Sequence, residues 1–187
     1  MISHRVWAEV DLGALRRNLE VIRSLAGPTT DTLLVVKADA YGHGLRLVAT
    51  TAERFGVGAF GVRDSSEALE LRGIGVRKPI LVLGTVIESE LTECVESGIE
   101  IGIHTLDRIR SLRKLVRRLG SRLRAPARVH LNVDTGMGRL GPLVQDAPRL
   151  LEAILAAPEL QLAGIMTHLA RPEGFAHPFS AEQVARL

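Results

Sequence analysis

The sequence predicts an α/β fold of parallel strands joined by crossover helices. From residue 33 onward, short runs rich in β-branched residues alternate with amphipathic stretches, a pattern that forces parallel pairing through helical crossovers. Several runs are continuously apolar rather than alternating, as expected of strands buried on both faces beneath helices. The βα units recur at uneven intervals of roughly 20 to 35 residues, which favours a barrel or a doubly wound sheet over a solenoid. The 187 residues, 46% apolar and 24% charged, give material for one core, and one domain is the default.

Taken in order, Leu12, Leu15, Leu19, Ile22 and Leu25 give the first helix a single apolar stripe, with Asp11 as its N-cap. The strand candidates are Leu33-Leu34-Val35-Val36, Ala59-Phe60-Gly61-Val62, Ile80-Leu81-Val82-Leu83, Ile99-Glu100-Ile101-Gly102-Ile103, Val129-His130-Leu131-Asn132-Val133 and Ala163-Gly164-Ile165-Met166. Asp64-Ser65-Ser66-Glu67 and Thr85-Val86-Ile87-Glu88 read as capping boxes, in which the first side chain takes an orphan N–H and the glutamate reaches back. Gly73 and Gly98 stop the helices that follow. Leu106, Ile109, Leu112, Leu115, Val116 and Leu119 recur at helical spacing inside a basic run from Arg108 to Arg124, so the charges occupy the outer face of an amphipathic helix. Leu150, Leu151, Ile154 and Leu155 stripe a later helix, and residues 181–187 begin the last.

Composition narrows the function. No run approaches the roughly 18 consecutive apolar residues of a membrane span, and the N-terminus leads into an acid-bearing strand rather than a signal segment, so a cytoplasmic protein is expected. Net charge is only +3, and the basic helix lacks aromatic stacking partners, which argues against nucleic acid. Cys94, the single cysteine, sits in an ordinary amphipathic stretch and is assigned no chemistry. His4, His104, His130 and His177 lack ligand spacing, so no metal site is predicted.

Of the lysines, Lys78 lies in a loop before Pro79 and Lys114 on the basic helix face. Lys37 closes the apolar run at residues 33–36, and the C-terminal end of a buried strand is where α/β barrels place functional groups. Partly desolvated there, its neutral amine would be available for Schiff-base chemistry. The bland reading is a lysine that snorkels to the strand end and pairs with Asp39.

Val36-Lys37-Ala38-Asp39-Ala40-Tyr41-Gly42-His43-Gly44 resembles the cofactor-attachment motif of alanine racemases along its whole length. Four further segments resemble the family in the same order: Trp7-Ala8-Glu9-Val10-Asp11-Leu12, Pro79-Ile80-Leu81-Val82-Leu83-Gly84, residues 133–141 (Val-Asp-Thr-Gly-Met-Gly-Arg-Leu-Gly), and Gly164-Ile165-Met166-Thr167-His168-Leu169. The resemblance implies a (β/α)8 TIM-type barrel, incomplete, with about six βα units present and the C-terminal β domain absent. Residues 1–12 would be an N-terminal strand segment that in the family joins that β domain, and residues 13–187 a partial barrel. It also implies pyridoxal 5'-phosphate held covalently by Lys37, whose amine, once freed, would be one acid/base group at the substrate Cα. Tyr41 would direct its hydroxyl to the cofactor phosphate. Arg139 would stand beside the phenolic oxygen and the substrate carboxylate, His168 against the pyridine ring, and Leu83 along the pocket wall. The implied activity is interconversion of L- and D-alanine for peptidoglycan, with a homodimer when full length.

Two departures accompany the resemblance. Asn132 stands where members often carry a carbamylated lysine that orients the arginine, so Arg139 would need an anion or water in its place. The chain also stops near the helix after the sixth strand, before the loops that commonly grip a phosphate. Racemisation needs a second acid/base group, which the family draws from a partner subunit's tyrosine, and the one tyrosine here is Tyr41. The 187 residues alone are therefore expected to be inactive. The alternatives are a non-catalytic pyridoxal-phosphate-binding barrel, one part of a split enzyme, or a basic binding module built on the helix at 108–124.

Overall fold

The computed structural model describes residues 6–171 and 177–187. The chain divides into two compact units, Met1–Ile80 and Leu81–Leu187.

In the first unit, Asp11 caps α1 (Leu12–Ala26) by accepting from the Gly13 N–H, and Gly27, at φ +81°, ends it. Next come β1 (Leu33–Val35), a short left-handed helix α2 (Lys37–Gly42), α3 (Leu45–Arg54), β2 (Ala59–Val62) and α4 (Ser65–Gly73). β1 and β2 pair in parallel from Leu33↔Ala59 to Val35↔Gly61, and α3 makes the crossover that parallel pairing requires. Leu45, Val48, Phe60, Val62 and Leu71 are buried in its core.

The unit boundary falls within β3 (Ile80–Val82). The second unit continues with α5 (Leu91–Glu96), β4 (Glu100–Ile103), α6 (Leu106–Leu119), β5 (Ala127–Asn132), α7 (Ala147–Leu155), β6 (Leu160–Met166) and α8 (Pro178–Arg186). Its strands pair in parallel in chain order, β3 to β4 to β5 to β6, with one register shift between Val129 and His130. Thr105 caps α6 by accepting from the Arg108 N–H. As the sequence indicates, Ile109, Leu112, Leu115 and Leu119 are buried along one face of α6. On the other, Arg113 and Arg117 both reach Glu159. Arg117, with the Glu159 N–H and Arg113, draws that carboxyl down to about 2. Cys94 is buried, and burial, assisted by Glu90 and Glu93, pushes its thiol up to about 11, which leaves it inert.

Several expectations need correction. Residues 85–88 form no helix: α5 begins only at Leu91, without a side-chain cap, and Glu88 instead faces Arg108 at 3.4 Å. The stripe on α1 is half used, since Leu19 is buried but Ile22 and Leu25 are exposed. β1 is not a strand buried on both faces, for Leu33 is exposed. Within its unit β1 pairs only with β2, so no second neighbour shields it. Residues 6–11 form no strand; Trp7 is exposed and its indole N–H donates to Glu9. The rest of the expected N-terminal segment, residues 1–5, lies outside the described residues.

Candidate active site

Val36 separates β1 from Lys37, which stands at the C-terminal end of the strand. Ala38, Asp39, Ala40 and Tyr41 then adopt φ of 52°, 54°, 53° and 57°, with ψ between 36° and 57°. This is a left-handed helical turn made of residues that all carry a Cβ, at a steric cost of roughly 1–2 kcal/mol each. Such a conformation persists only where its surroundings over-determine it, and here they do. Val36 O accepts from Ala40 N at 2.9 Å and Asp39 O from Gly44 N at 3.0 Å. The Asp39 carboxylate accepts from Leu45 N at 2.6 Å, and His43 Nδ1 lies 2.8 Å from Ala40 O. The Ala40 methyl is buried. Glu67 grips from outside: one oxygen accepts from Ala38 N at 2.7 Å, the other from Arg63 N at 2.8 Å.

The turn sets Lys37 and Tyr41 together, with Nζ 5.9 Å from the ring centroid. Asp39 is committed to the backbone, so the Lys37–Asp39 pairing of the bland reading does not form, and among the described residues no carboxylate pairs with Lys37. The expected partial desolvation is also not found: Lys37 is exposed, because β1 has a neighbour on one side only within its unit.

In the second unit, Leu83 follows β3 directly, Arg139 lies in the loop after β5, and His168 comes two residues after β6. Parallel strands in this unit bring all three to its C-terminal edge. The Arg139 loop is organised by Asp134, whose carboxylate accepts from Gly136 N at 2.9 Å and Gly138 N at 3.0 Å. The Gly138 N–H above all, with those of Gly136, Met137 and Arg139, holds that carboxyl below its ordinary value. Gly141, at φ +106°, passes so close to β5 that a Cβ would sit 2.3 Å from Asn132 O. The Asn132 amide donates to Leu140 O at 3.0 Å, so it braces the backbone beside Arg139. Arg139 is exposed, and among the described residues its guanidinium has no ion-pair partner. Fully buried Gln183, from α8, donates to Thr135 Oγ1 and His168 O and accepts from Ala170 N, which ties the loops after β5 and β6 to one helix.

The structure therefore joins Lys37 to Tyr41 in one unit and places Leu83, Arg139 and His168 on one edge of the other. Sequence reasoning missed Glu67, Asp134 and Gln183 as organisers. The capping-box pattern flagged Glu67, but its carboxylate reaches Arg63 N and Ala38 N. For Asp134 the signal was present, a carboxylate just before a glycine-spaced turn. For Gln183 there was none, since its partners lie up to 48 residues away. Among the described residues no three His, Cys, Asp or Glu side chains gather to hold a metal ion, and no helix is long and apolar enough to cross a membrane.

The chain is similar to alanine racemases along its whole length. The alanine racemase of Methanococcus maripaludis is 35% identical over 188 aligned positions, covering 100% of this chain and 49% of the relative. That of Chlorobaculum tepidum is 40% identical, covering 96% and 46%. The solved alanine racemase of Clostridium difficile 630 superposes on the whole chain with a TM-score of 0.91 at 29% identity, over 48% of its own length. The chain spans about half the length of the curated relatives it matches, and its fold is the corresponding part of the racemase barrel, six βα units of an incomplete (β/α)8 array. Residues 10–187 match the family described as alanine racemase, N-terminal domain, and the chain belongs to that family.

Proposed function

We propose that this chain is the cofactor-bearing part of a pyridoxal-phosphate-dependent alanine racemase, an isomerase that interconverts L- and D-alanine to supply peptidoglycan synthesis in the cytoplasm. The observation that carries the reading is the left-handed turn, which presents an unpaired lysine amine and a tyrosine side by side at a strand end. That donor set fits the cofactor: Lys37 supplies a nucleophilic amine for its aldehyde, and Tyr41 a hydroxyl for its phosphate. When bound, pyridoxal phosphate supplies an electron sink for the pair left at the substrate Cα.

The chain's own residues do the rest. Lys37 holds the cofactor and, once released by the incoming amino acid, carries a proton to or from Cα. Arg139 has a planar, permanently charged fork suited to a phenolic oxygen and a carboxylate. Asp134 and Gly141 fix the loop from which that fork extends, Leu83 contributes an apolar wall, and His168 offers a flat ring. Alanine as substrate belongs to the same proposal and rests on the names of the relatives, and a homodimer as the working state is what the family resemblance implies.

The test is an absorbance spectrum after incubation with pyridoxal phosphate and removal of the excess. A borohydride-reducible band near the visible edge is expected in the native chain and absent from Lys37→Ala. An equal band in the variant would overturn the role of Lys37.

A further inference from the structure

Building on the reading of Lys37 as the attachment point, we infer that Glu67 is a positioning residue that holds the left-handed turn and so sets how Lys37 is presented to pyridoxal phosphate. Glu67 lies in the first turn of α4, on the βα unit after the one bearing Lys37. The Ala38 N–H it accepts belongs to the peptide group joining Lys37 to Ala38, so the carboxylate fixes the orientation of the lysine's own peptide plane. Ala38 is also where the chain enters the positive-φ region. Released from Glu67, this peptide would be free to rotate toward the ordinary right-handed or extended regions, and the direction of the Lys37 side chain would turn with it.

The carboxylate suits this task because it can satisfy two backbone donors at once. Its second oxygen accepts from Arg63 N at the end of β2, so the lysine turn is referenced to the neighbouring strand rather than to its own loop. Glu67 is itself held by the helix start, where Asp64 accepts from the Glu67 N–H at 3.1 Å. The other fasteners, Asp39 and His43, act on the far end of the turn. None of them touches the Ala38 N–H.

The experiment compares Glu67→Ala, Ala38→Gly and the double variant with the native full chain, titrating each with pyridoxal phosphate and reading the borohydride-reducible band. Loss of a charge-assisted hydrogen bond should weaken apparent cofactor affinity in Glu67→Ala by about tenfold or more. Glycine enters the left-handed region without the Cβ penalty, so Ala38→Gly should recover most of that loss. A Glu67 that merely anchored α4 would not be compensated by relief of the left-handed backbone cost at position 38. Glu67→Gln, which keeps the side-chain volume and one acceptor, serves if Glu67→Ala fails to fold, and should fall between native and alanine forms. Affinity within twofold of native in the Glu67 variants, or a loss that Ala38→Gly leaves untouched, overturns the inference. A native chain without any Lys37-dependent band overturns the attachment reading itself.

Discussion

Gly141 illustrates a residue whose role is fixed by what a side chain would strike. Its φ of +106° and the 2.3 Å separation between a hypothetical Cβ and Asn132 O leave room for hydrogen only. Gly141→Ala should therefore cost about 1–3 kcal/mol, combining a disfavoured backbone with a displaced strand end. Urea denaturation would show it, and a midpoint unchanged from native would mean that the loop relaxes without loss. None of this was legible in the sequence, because the contact is made by folding back on β5. The place of Lys37 at the end of β1, by contrast, was legible because a lysine closing an apolar run stands out locally. What position could not reveal was the four-residue left-handed turn, since Ala38, Ala40 and Tyr41 have no preference for positive φ.

Among the elements, the βα alternation located every strand to within a few residues, because buried parallel strands are written as short apolar runs. The failures lie where local pattern and tertiary demand diverge. Thr85 to Glu88 has the letters of a capping box, but the chain there runs from β3 to α5 without a helical turn. β4 and β5 carry a group that periodicity does not expose: Glu100 is buried, with Arg128 Nε and His130 Nε2 each 2.6 Å from a carboxylate oxygen. Burial alone would raise the Glu100 pKa, but the hydrogen bonds from His130 and Arg128 outweigh it and hold the carboxyl below its ordinary 4.5. A carboxyl depressed in the folded state stabilises the fold fully above its unfolded pKa and loses that contribution as pH falls through the lower, folded value. The native chain should accordingly exceed Glu100→Gln in thermal midpoint at neutral pH, with the gap narrowing as pH drops below 4.5. A gap that does not change with pH would show that Glu100 contributes by packing rather than by charge.

For the whole molecule, cofactor capture and racemisation make separable demands. On the proposed function, capture would ask for Lys37 on its clamped turn and for Tyr41 beside it, and the first unit contains both. Inverting a stereocentre asks in addition for a proton donor on the face opposite the base, because a single group returns the proton to the side from which it came. Tyr41 is the one tyrosine in the sequence and sits on the same turn as Lys37, a placement suited to holding a phosphate rather than to serving the opposite face. The 187-residue chain loaded with pyridoxal phosphate is thus expected to form the Lys37-dependent band yet leave L-alanine optically unchanged. In deuterium oxide, slow exchange of the α-proton with retention of configuration is compatible with this division, since one base can wash a proton out and return it on one face. Chiral chromatography of the alanine after prolonged incubation decides the matter. D-alanine formed by the native chain and not by Lys37→Ala would show that some other group within these residues protonates the second face.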